Sequence, residues 1–215
     1  MDTLQWVEQH RIVAIFRGVA GEGADRGAEA LIAGGIRVLE VTMNTEGALE
    51  SLAKWRKTYE GTAAIGAGTV LDLEMAKAAV AAGAQFLISP NLDEEVVRYG
   101  VEQGIDVFPG CMTPTEIVRA WKAGARAVKL FPMASLGIKY LKDILAPLDS
   151  IPIIVTGGVN LDNIAEFLKA GAYGVGLGSN LVDKKLIAEG RFDELQAIAR
   201  AYVEAARSAV SPQRA

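Results

Sequence analysis

Short apolar runs recur along the chain, and most of them closely follow a glycine. Each run is rich in Val, Ile, Leu or Phe, as buried parallel strands are, and glycine is a common residue just beyond a helix. Glycine-led runs occupy 33–40, 81–89, 102–109, 122–130 and 169–177, and the other runs occupy 12–17, 62–68 and 151–158. The pattern predicts about eight strands, spaced by roughly 20 to 27 residues.

Amphipathic, Ala-rich segments lie between these runs. DLEMAKAAVAAG and TPTEIVRAWKAG carry apolar residues at helical spacing, and each begins near an Asp or Thr that can cap a helix. Strand and helix therefore alternate along the whole chain. Eight such units in 215 residues favour an α/β fold of the closed (β/α)8 TIM-barrel type over an open doubly wound sheet, which has fewer units.

The composition predicts one domain. With 51% hydrophobic residues, the 215-residue chain can bury one sizeable core, but it is shorter than two full domains usually are. No Pro- or Ser-rich linker divides it. We therefore expect a single barrel domain over 1–215, with an amino-terminal lead-in helix and a short flexible tail, SPQRA, at 211–215.

Charge and hydropathy exclude two classes of partner. The net charge of −4 leaves no sequence-wide basic surface that could neutralise a nucleic acid. No apolar run approaches the roughly 18 residues of a membrane-spanning helix, and MDTLQWVEQHR lacks the layout of a signal peptide. We expect a cytoplasmic protein that binds neither nucleic acid nor membrane.

The chain has one cysteine, Cys111, and one histidine, His10. An internal disulfide is therefore excluded, and so are the histidine clusters that most catalytic transition-metal sites use. We interpret His10 as a solvated residue of the lead-in helix and Cys111 as a small packed or loop thiol. We predict no metal and no cofactor.

The lysine within the apolar run RAVKLFP is the most informative single residue. Lys129 lies between Val128 and Leu130, so its side chain must reach the barrel mouth or face the helices at a desolvation cost. Partial burial lowers the pKa of an amine and so frees it to attack a carbonyl. A lysine that reaches the rim or pairs with a carboxylate is the alternative.

Glu40, in the run RVLEVTMNT, is the second charge in a predicted strand. Period-two alternation puts Val38, Glu40 and Thr42 on one face and the intervening apolar residues on the other. Glu40 then faces the barrel interior near the mouth, where Lys129 can be its partner. A structural ion pair and a base beside a nucleophile both remain open.

Polar groups and glycines also end other strands, where barrel enzymes place their active sites. Arg17 ends the first run and can hold a carboxylate through two hydrogen bonds, although a surface salt bridge is equally compatible. Thr69 follows the glycines of GAGT and offers a hydroxyl. TGG at 156–158 and GLGS at 176–179 follow strands seven and eight, where barrels often bind phosphate.

Eight stretches in this order resemble one family. IFRG, EVTMNT, GAGTV, ISPN, PGCMTPTE, VKLFP, TGGV and GLGSNL, from about residue 11 to 182, are similar to aldolases that cleave 2-dehydro-3-deoxy-6-phosphogluconate or its galactonate epimer to pyruvate and glyceraldehyde 3-phosphate. The resemblance implies a class I (Schiff-base) aldolase with a (β/α)8 barrel, a small-molecule substrate, a homotrimeric assembly, and cleavage without a metal or cofactor.

The resemblance also implies a role for each matching residue. Lys129 is the Schiff-base lysine and Glu40 the general acid/base, and Arg17 and Thr69 hold the carboxylate of the 2-oxo acid. The phosphate is held by Gly157, Gly158, Gly178 and Ser179. Further pocket residues are Asn44, Pro90, Thr113, Phe131 and Thr156.

One departure from the family concerns the substrate. Many phosphogluconate-type members read E-V-T-L-R-T where this chain has Asn44 in place of the arginine. Phosphogalactonate-type members carry an arginine at the end of the first strand instead, and AIFRG with Arg17 resembles that stretch. The galactonate epimer is therefore slightly favoured, and 4-hydroxy-2-oxoglutarate, which needs no phosphate site, is a related substrate.

Two other functions are compatible with the same glycine loops. A sugar-phosphate epimerase could use a Lys–Glu pair without covalent chemistry, and a non-catalytic oligomeric scaffold could bind an anion through the same loops.

Overall fold

A computed structural model of the chain describes residues 2–210, so the tail expected at 211–215 lies outside the described residues. Nine parallel strand segments form one sheet: β1 (Ile12–Phe16), β2 (Val38–Thr42), β3 (Ala64–Gly68), β4 (Phe86–Ile88), β5 (Asp106–Phe108), β6 (Gly110–Cys111), β7 (Val128–Leu130), β8 (Ile153–Thr156) and β9 (Gly174–Leu177).

Helices alternate with the strands: α1 (Thr3–His10), α2 (Gly21–Ala33), α3 (Ala48–Thr58), α4 (Leu73–Ala81), α5 (Glu94–Glu102), α6 (Pro114–Ala123), α7 (Met133–Leu145), α8 (Ile164–Lys169), α9 (Lys184–Ala188) and α10 (Phe192–Val210). The predicted caps are present, since Asp72 caps α4 and Thr113 caps α6. Within residues 2–210, no helix has the length and apolar character needed to cross a bilayer.

The strands run around the sheet in the order β5-β4-β3-β2-β1-β9-β8-β7-β6. β5 and β6 are the two ends of this order, and they are the halves of one stretch of chain that is interrupted at Pro109. β5 pairs with β4, whereas β6 pairs with β7. The Lys129 N–H donates to the Pro109 carbonyl at 2.9 Å and joins the halves to β7. The predicted (β/α)8 barrel is therefore confirmed.

The fifth predicted strand differs from expectation because it is divided. The run 102–109 was expected to be one strand, whereas the extended segments are Asp106–Phe108 and Gly110–Cys111. Proline has no N–H to donate to a ladder, which explains the break at Pro109. Beside it, a Cβ on Gly110 would lie 2.2 Å from the Pro90 carbonyl carbon, so only glycine permits this close approach.

Two apolar clusters lie on the two faces of the sheet. The residues of the larger cluster lie between the strands and the helices and include Leu39 and Val41, as the alternation in β2 predicts. The smaller cluster fills the barrel interior and includes Val38 from the opposite face of β2. Its other buried members are Val7, Val13, Ala64, Phe86, Ile88, Phe108, Ala127 and Ile154.

The lead-in helix α1 closes the amino-terminal end of the barrel. Asp2 and Gln5 form a capping box at its start, and Val7 packs fully buried against the interior cluster. The Leu4 N–H donates to the buried Asp106 carboxylate at 3.0 Å and ties the helix to the first residue of β5. The barrel interior is thus sealed at this end, and access is from the carboxyl ends of the strands.

Among the side chains of the interior cluster, Phe86 should cause the largest loss of stability when it is truncated. Its ring fills the space that Gly66 leaves open, since a Cβ on Gly66 would lie 2.6 Å from the ring. We expect Phe86→Ala to lower the free energy of unfolding by about 3–5 kcal/mol because it leaves a cavity. Urea unfolding at one fixed protein concentration measures the loss. Leu161→Ala, at a side chain that is 44% exposed, is the control and should cost about 0.5 kcal/mol or less.

Candidate active site

Lys129 lies in the middle of β7 with its side chain turned into the barrel and only 5% exposed. Its ammonium nitrogen is 5.0 Å from the centre of the Phe131 ring. Burial lowers the pKa of Lys129; the negative charge of Glu40 opposes this effect, and the positive charge of Arg17 adds to it. The site therefore shifts Lys129 towards the neutral amine, which is the nucleophilic form.

Glu40 lies at the centre of β2 and is 1% exposed. Within residues 2–210, neither of its carboxylate oxygens has a hydrogen-bond partner. Burial raises the pKa of Glu40, against the opposing charges of Lys129 and Arg17. The two buried groups influence each other's charge, but no ion pair within 4.0 Å joins them in the described part of the chain. Glu40 is therefore placed to take up and release a proton.

Gly68 makes the position of Glu40 possible. β2 and β3 are paired so that Thr42 lies opposite Gly68. A Cβ on Gly68 would lie 2.0 Å from Oε1 of Glu40, which is far inside contact distance. The glycine-rich end of β3 thus accommodates the Glu40 carboxylate.

A cavity of about 350 Å³ opens beside Lys129 at the carboxyl ends of the strands. Nine of the residues singled out from the sequence line it: Arg17, Pro90, Lys129, Phe131, Thr156, Gly157, Gly158, Gly178 and Ser179. Six further residues, to which the sequence gave no individual role, complete the wall: Ile15, Val159, Gly176, Asn180, Val182 and Lys184. The cavity is within the usual size range of sites for small organic ligands.

Arg17 is held at the cavity by Thr69, which was predicted for the carboxylate end, and by Asn44, which was predicted as a further pocket residue. Its Nη1 donates to Oδ1 of Asn44 at 3.3 Å, and its Nη2 donates to Oγ1 of Thr69 at 3.2 Å. Thr69 adopts a left-handed backbone conformation, with φ of 58°, which is uncommon for a residue with a β-branched side chain. The three residues, from the ends of β1, β2 and β3, thus form one cluster that presents the guanidinium to the cavity.

Gly157 and Gly158 bring the chain after β8 close to the start of α7. Both have left-handed backbone angles, with φ of 89° and 79°. A Cβ on Gly158 would lie 2.7 Å from Cα of Ala134, so a side chain at this position would force the loop away from α7. The loop therefore keeps its bare backbone at the cavity wall, which Gly178 and Ser179 in the loop after the neighbouring strand β9 also line.

Four residues predicted for the site are not among those that line this cavity: Glu40, Asn44, Thr69 and Thr113. Thr113 has a structural role. Its Oγ1 accepts from the Glu116 N–H in a capping box at the start of α6, and its side chain is exposed. His10 stacks on Trp6 in α1, at the sealed end of the barrel. Cys111 is buried in β6, and burial raises its pKa to about 12, so this thiol is a poor nucleophile. Within residues 2–210, no group of three or more potential ligands could hold a metal ion.

Lys184 is the charged cavity residue that sequence reasoning missed. A signal for it was present, because the basic pair in DKK follows the GLGS loop by only a few residues. That pair resembles an ordinary solvated helix start, and only the three-dimensional arrangement brings one of its two side chains to the cavity.

Comparison with known proteins assigns this chain to a family. Residues 4–198 match the model of the aldolase family described as KDPG and KHG aldolase. The 2-dehydro-3-deoxy-6-phosphogalactonate aldolase of Escherichia coli strain K12 is 36% identical over 203 residues, which cover 94% of this chain and 99% of that protein. The chain belongs to the KDPG and KHG aldolase family.

Two solved structures extend the comparison. A KDPG aldolase from Legionella pneumophila, with pyruvate captured at low pH as a covalent carbinolamine intermediate, has a TM-score of 0.85 and 31% identity, covering 94% of this chain and 98% of that one. A cube-shaped protein cage designed by fusing symmetric oligomeric domains has a TM-score of 0.86 and 35% identity, covering 93% of this chain and 73% of that one.

Membership of this family confirms the enzymatic prediction. The chain is an aldolase, that is, a carbon–carbon lyase, and the epimerase and the non-catalytic scaffold are set aside. A covalent carbinolamine in a homologous aldolase is the intermediate that precedes a Schiff base, which supports class I chemistry for this family.

The raised pKa of Glu40 predicts a pH-dependent cost to stability. The folded chain retains the Glu40 proton above the ordinary carboxyl value near 4.5, so it binds more protons there than the unfolded chain does. The contribution of Glu40 to wild-type stability should therefore fall as the pH rises from 4 through the folded pKa of this residue. Glu40→Gln removes this loss, and its urea midpoint should exceed that of the wild type by a margin that widens from pH 4 to pH 8.

Glu46→Gln, which removes an exposed carboxylate, is the matched control for the change of one charge. A margin for Glu40→Gln that stays constant with pH would contradict the assignment of the buried proton.

Proposed function

We propose that the chain cleaves a 2-dehydro-3-deoxy-6-phospho sugar acid to pyruvate and glyceraldehyde 3-phosphate through a Schiff base on Lys129. The observation that carries the proposal is a buried lysine with a lowered pKa in the wall of a cavity of about 350 Å³, close enough to a buried carboxyl group for each to shift the other's pKa. A desolvated amine beside a proton acceptor is what covalent catalysis at a 2-oxo group requires.

The reaction begins when the amine of Lys129 adds to the C2 carbonyl of the substrate. The resulting carbinolamine loses water and gives an iminium, whose positive nitrogen accepts the electron pair of the C3–C4 bond. Glu40 takes the proton of the C4 hydroxyl as that bond breaks and the aldehyde leaves. Glu40 then returns a proton to C3 of the enamine, and water hydrolyses the iminium to release pyruvate and the free lysine.

The carboxylate of the 2-oxo acid is assigned to Arg17, assisted by the hydroxyl of Thr69. A guanidinium can hold a carboxylate through two parallel hydrogen bonds, and Arg17 keeps N–H groups free after it donates to Asn44 and Thr69. Asn44 then acts as the group that orients Arg17.

The phosphate is assigned to the loops after β8 and β9, through Gly157, Gly158, Gly178 and Ser179. Loops at these two positions of a barrel offer backbone N–H groups to anions. Pro90, Phe131 and Thr156 form the wall between the two ends of the substrate. Thr113, as a helix cap, has no part in this assignment.

The galactonate epimer is the substrate that we favour. Arg17 supplies the guanidinium from β1, and one Escherichia coli relative, 36% identical over 94% of this chain, is a 2-dehydro-3-deoxy-6-phosphogalactonate aldolase. Comparing kcat/KM for the two epimers and for 4-hydroxy-2-oxoglutarate ranks the three substrates.

A homotrimer and a single functional domain over 1–215 complete the proposal. Support for an oligomer comes from the designed cage, which is built from symmetric oligomeric domains, and from the exposed apolar side chains of Met112 and Trp121. The cytoplasmic location expected from the sequence stays a prediction.

Borohydride trapping tests the central step. Incubation with pyruvate and borohydride should add the mass of one reduced pyruvate to the peptide that contains Lys129. Lys129→Ala should lose both the adduct and cleavage, while the exposed control Lys122→Ala should retain both. Glu40→Gln should lower kcat about 100- to 10,000-fold because it removes the proton carrier. Cleavage that survives in Lys129→Ala would refute the scheme.

Kinetics separate the roles of Arg17 and Asn44. Arg17→Ala should raise KM about 10- to 100-fold, since it removes a charged hydrogen bond to the carboxylate. Asn44→Ala should raise KM less, about two- to tenfold, because the guanidinium is still present but poorly oriented. Arg98→Ala, at a surface ion pair with Glu94, is the control. Equal losses in Arg17→Ala and Asn44→Ala would argue against an orienting role for Asn44.

A further inference from the structure

Lys184 reaches the cavity from the first residue of α9, a few residues beyond Ser179 in the chain. A Cβ on Gly18 would lie 2.9 Å from the Lys184 Nζ, so the ammonium lies directly over the backbone at the end of β1. That backbone is itself fixed, because the Gly18 N–H donates to Oγ1 of Thr45 at 2.8 Å. The ammonium thus lies where the loops after β1 and β9 meet.

Within residues 2–210, the neighbours of Lys184 have structural partners, whereas Lys184 has none. Asp183 caps α9 by accepting from the N–H groups of Lys185 at 2.8 Å and Leu186 at 3.1 Å. The Lys185 ammonium pairs with Glu189 at 4.0 Å. For Lys184, no hydrogen bond and no ion pair within 4.0 Å is found among residues 2–210. Its charge is available to a ligand.

Arg17 and Lys184, which both line the cavity, approach it from opposite sides of β1. Arg17 extends towards β2 and β3, where Asn44 and Thr69 hold it. Lys184 approaches from beyond β9, which pairs with β1 on its other edge. No Asp or Glu belongs to the described residues that line the cavity. The site therefore has one cation beside the β2 edge and another beside the loop that carries Gly178 and Ser179.

A phosphate monoester carries close to two negative charges, and backbone N–H groups contribute dipoles without net charge. Arg17 is engaged by Asn44 and Thr69, and Lys129 must be neutral to react, so Lys184 is the remaining cation among the described residues that line the cavity. A flexible ammonium serves as a point charge for a phosphate without the geometric demands of a guanidinium.

We propose that Lys184 binds the terminal phosphate of the substrate and thereby sets the preference of this aldolase for phosphorylated over unphosphorylated sugar acids. This inference rests on the proposed function, because it names a specificity residue for the same cavity.

The test compares Lys184→Met, Lys184→Arg and the control Lys185→Met. Lys184→Met keeps the length of the side chain and removes its charge, so the ratio of kcat/KM for the phosphorylated to the unphosphorylated sugar acid should fall on the order of 10- to 100-fold. Lys184→Arg should restore most of the ratio. Lys185→Met removes a neighbouring charge outside the cavity and should leave the ratio at the wild-type value.

A second measurement does not depend on turnover. The Kd of inorganic phosphate, measured by ³¹P NMR, should rise about tenfold or more in Lys184→Met and remain near the wild-type value in Lys185→Met. Pyruvate trapping on Lys129 in the same Lys184→Met sample reports that the protein is folded and the amine reactive.

The outcomes separate this inference from the proposed function. If the wild type traps pyruvate but Lys184→Met changes neither the substrate ratio nor the phosphate Kd, Lys184 has no role in phosphate binding. The inference is equally overturned if Lys184→Met lowers kcat/KM for both sugar acids by the same factor. If the phosphate Kd rises in Lys184→Met but the wild type traps no pyruvate, the phosphate site stands and the Schiff-base scheme fails.

Discussion

The burial of an amine and a carboxyl group in one barrel interior is the constraint on which the rest of the structure depends. Each group pays a desolvation cost, so Lys129 shifts towards its neutral form and Glu40 towards its protonated form. That shift requires a dry, well-packed surrounding, which the interior cluster and the sealing helix α1 supply. It also requires room for the carboxyl group, which Gly68 provides. Burial therefore costs stability, and it brings the pKa values of the amine and the carboxyl group closer together.

Two cations near this buried pair lie on different sides of strand β1. Arg17 and Lys184 flank the end of β1, and the described lining of the cavity contains no acidic side chain. A ligand with an anion at each end would therefore meet two cations in the cavity that the Lys129 amine also lines. Such an arrangement orients the ligand before any covalent bond forms, and it also attracts anions to the mouth of the barrel.

Much of the fold and part of the site could be predicted from the sequence, because both follow from local patterns. Glycine-led apolar runs indicated the strands, and the odd charges Lys129 and Glu40 were visible within them. The division of the fifth strand could not be foreseen, since it depends on how Pro109 meets two different neighbours at the closure of the barrel. The hydrogen bond between Arg17 and Asn44 joins residues 27 positions apart, and Lys184 meets Gly18 only once β9 pairs with β1.

The hydrogen bond from Arg17 to Asn44 has a consequence for how sequences in this family can change. An arginine at position 44 beside Arg17 would bring two guanidinium groups together where a donor and an acceptor now meet. Moving the guanidinium from position 17 to position 44 therefore requires both residues to change together. Replacing only one of them leaves either two guanidinium groups or none. Residues 17 and 44 are therefore coupled, and an engineer who moves the guanidinium from β1 to β2 must replace them as a pair.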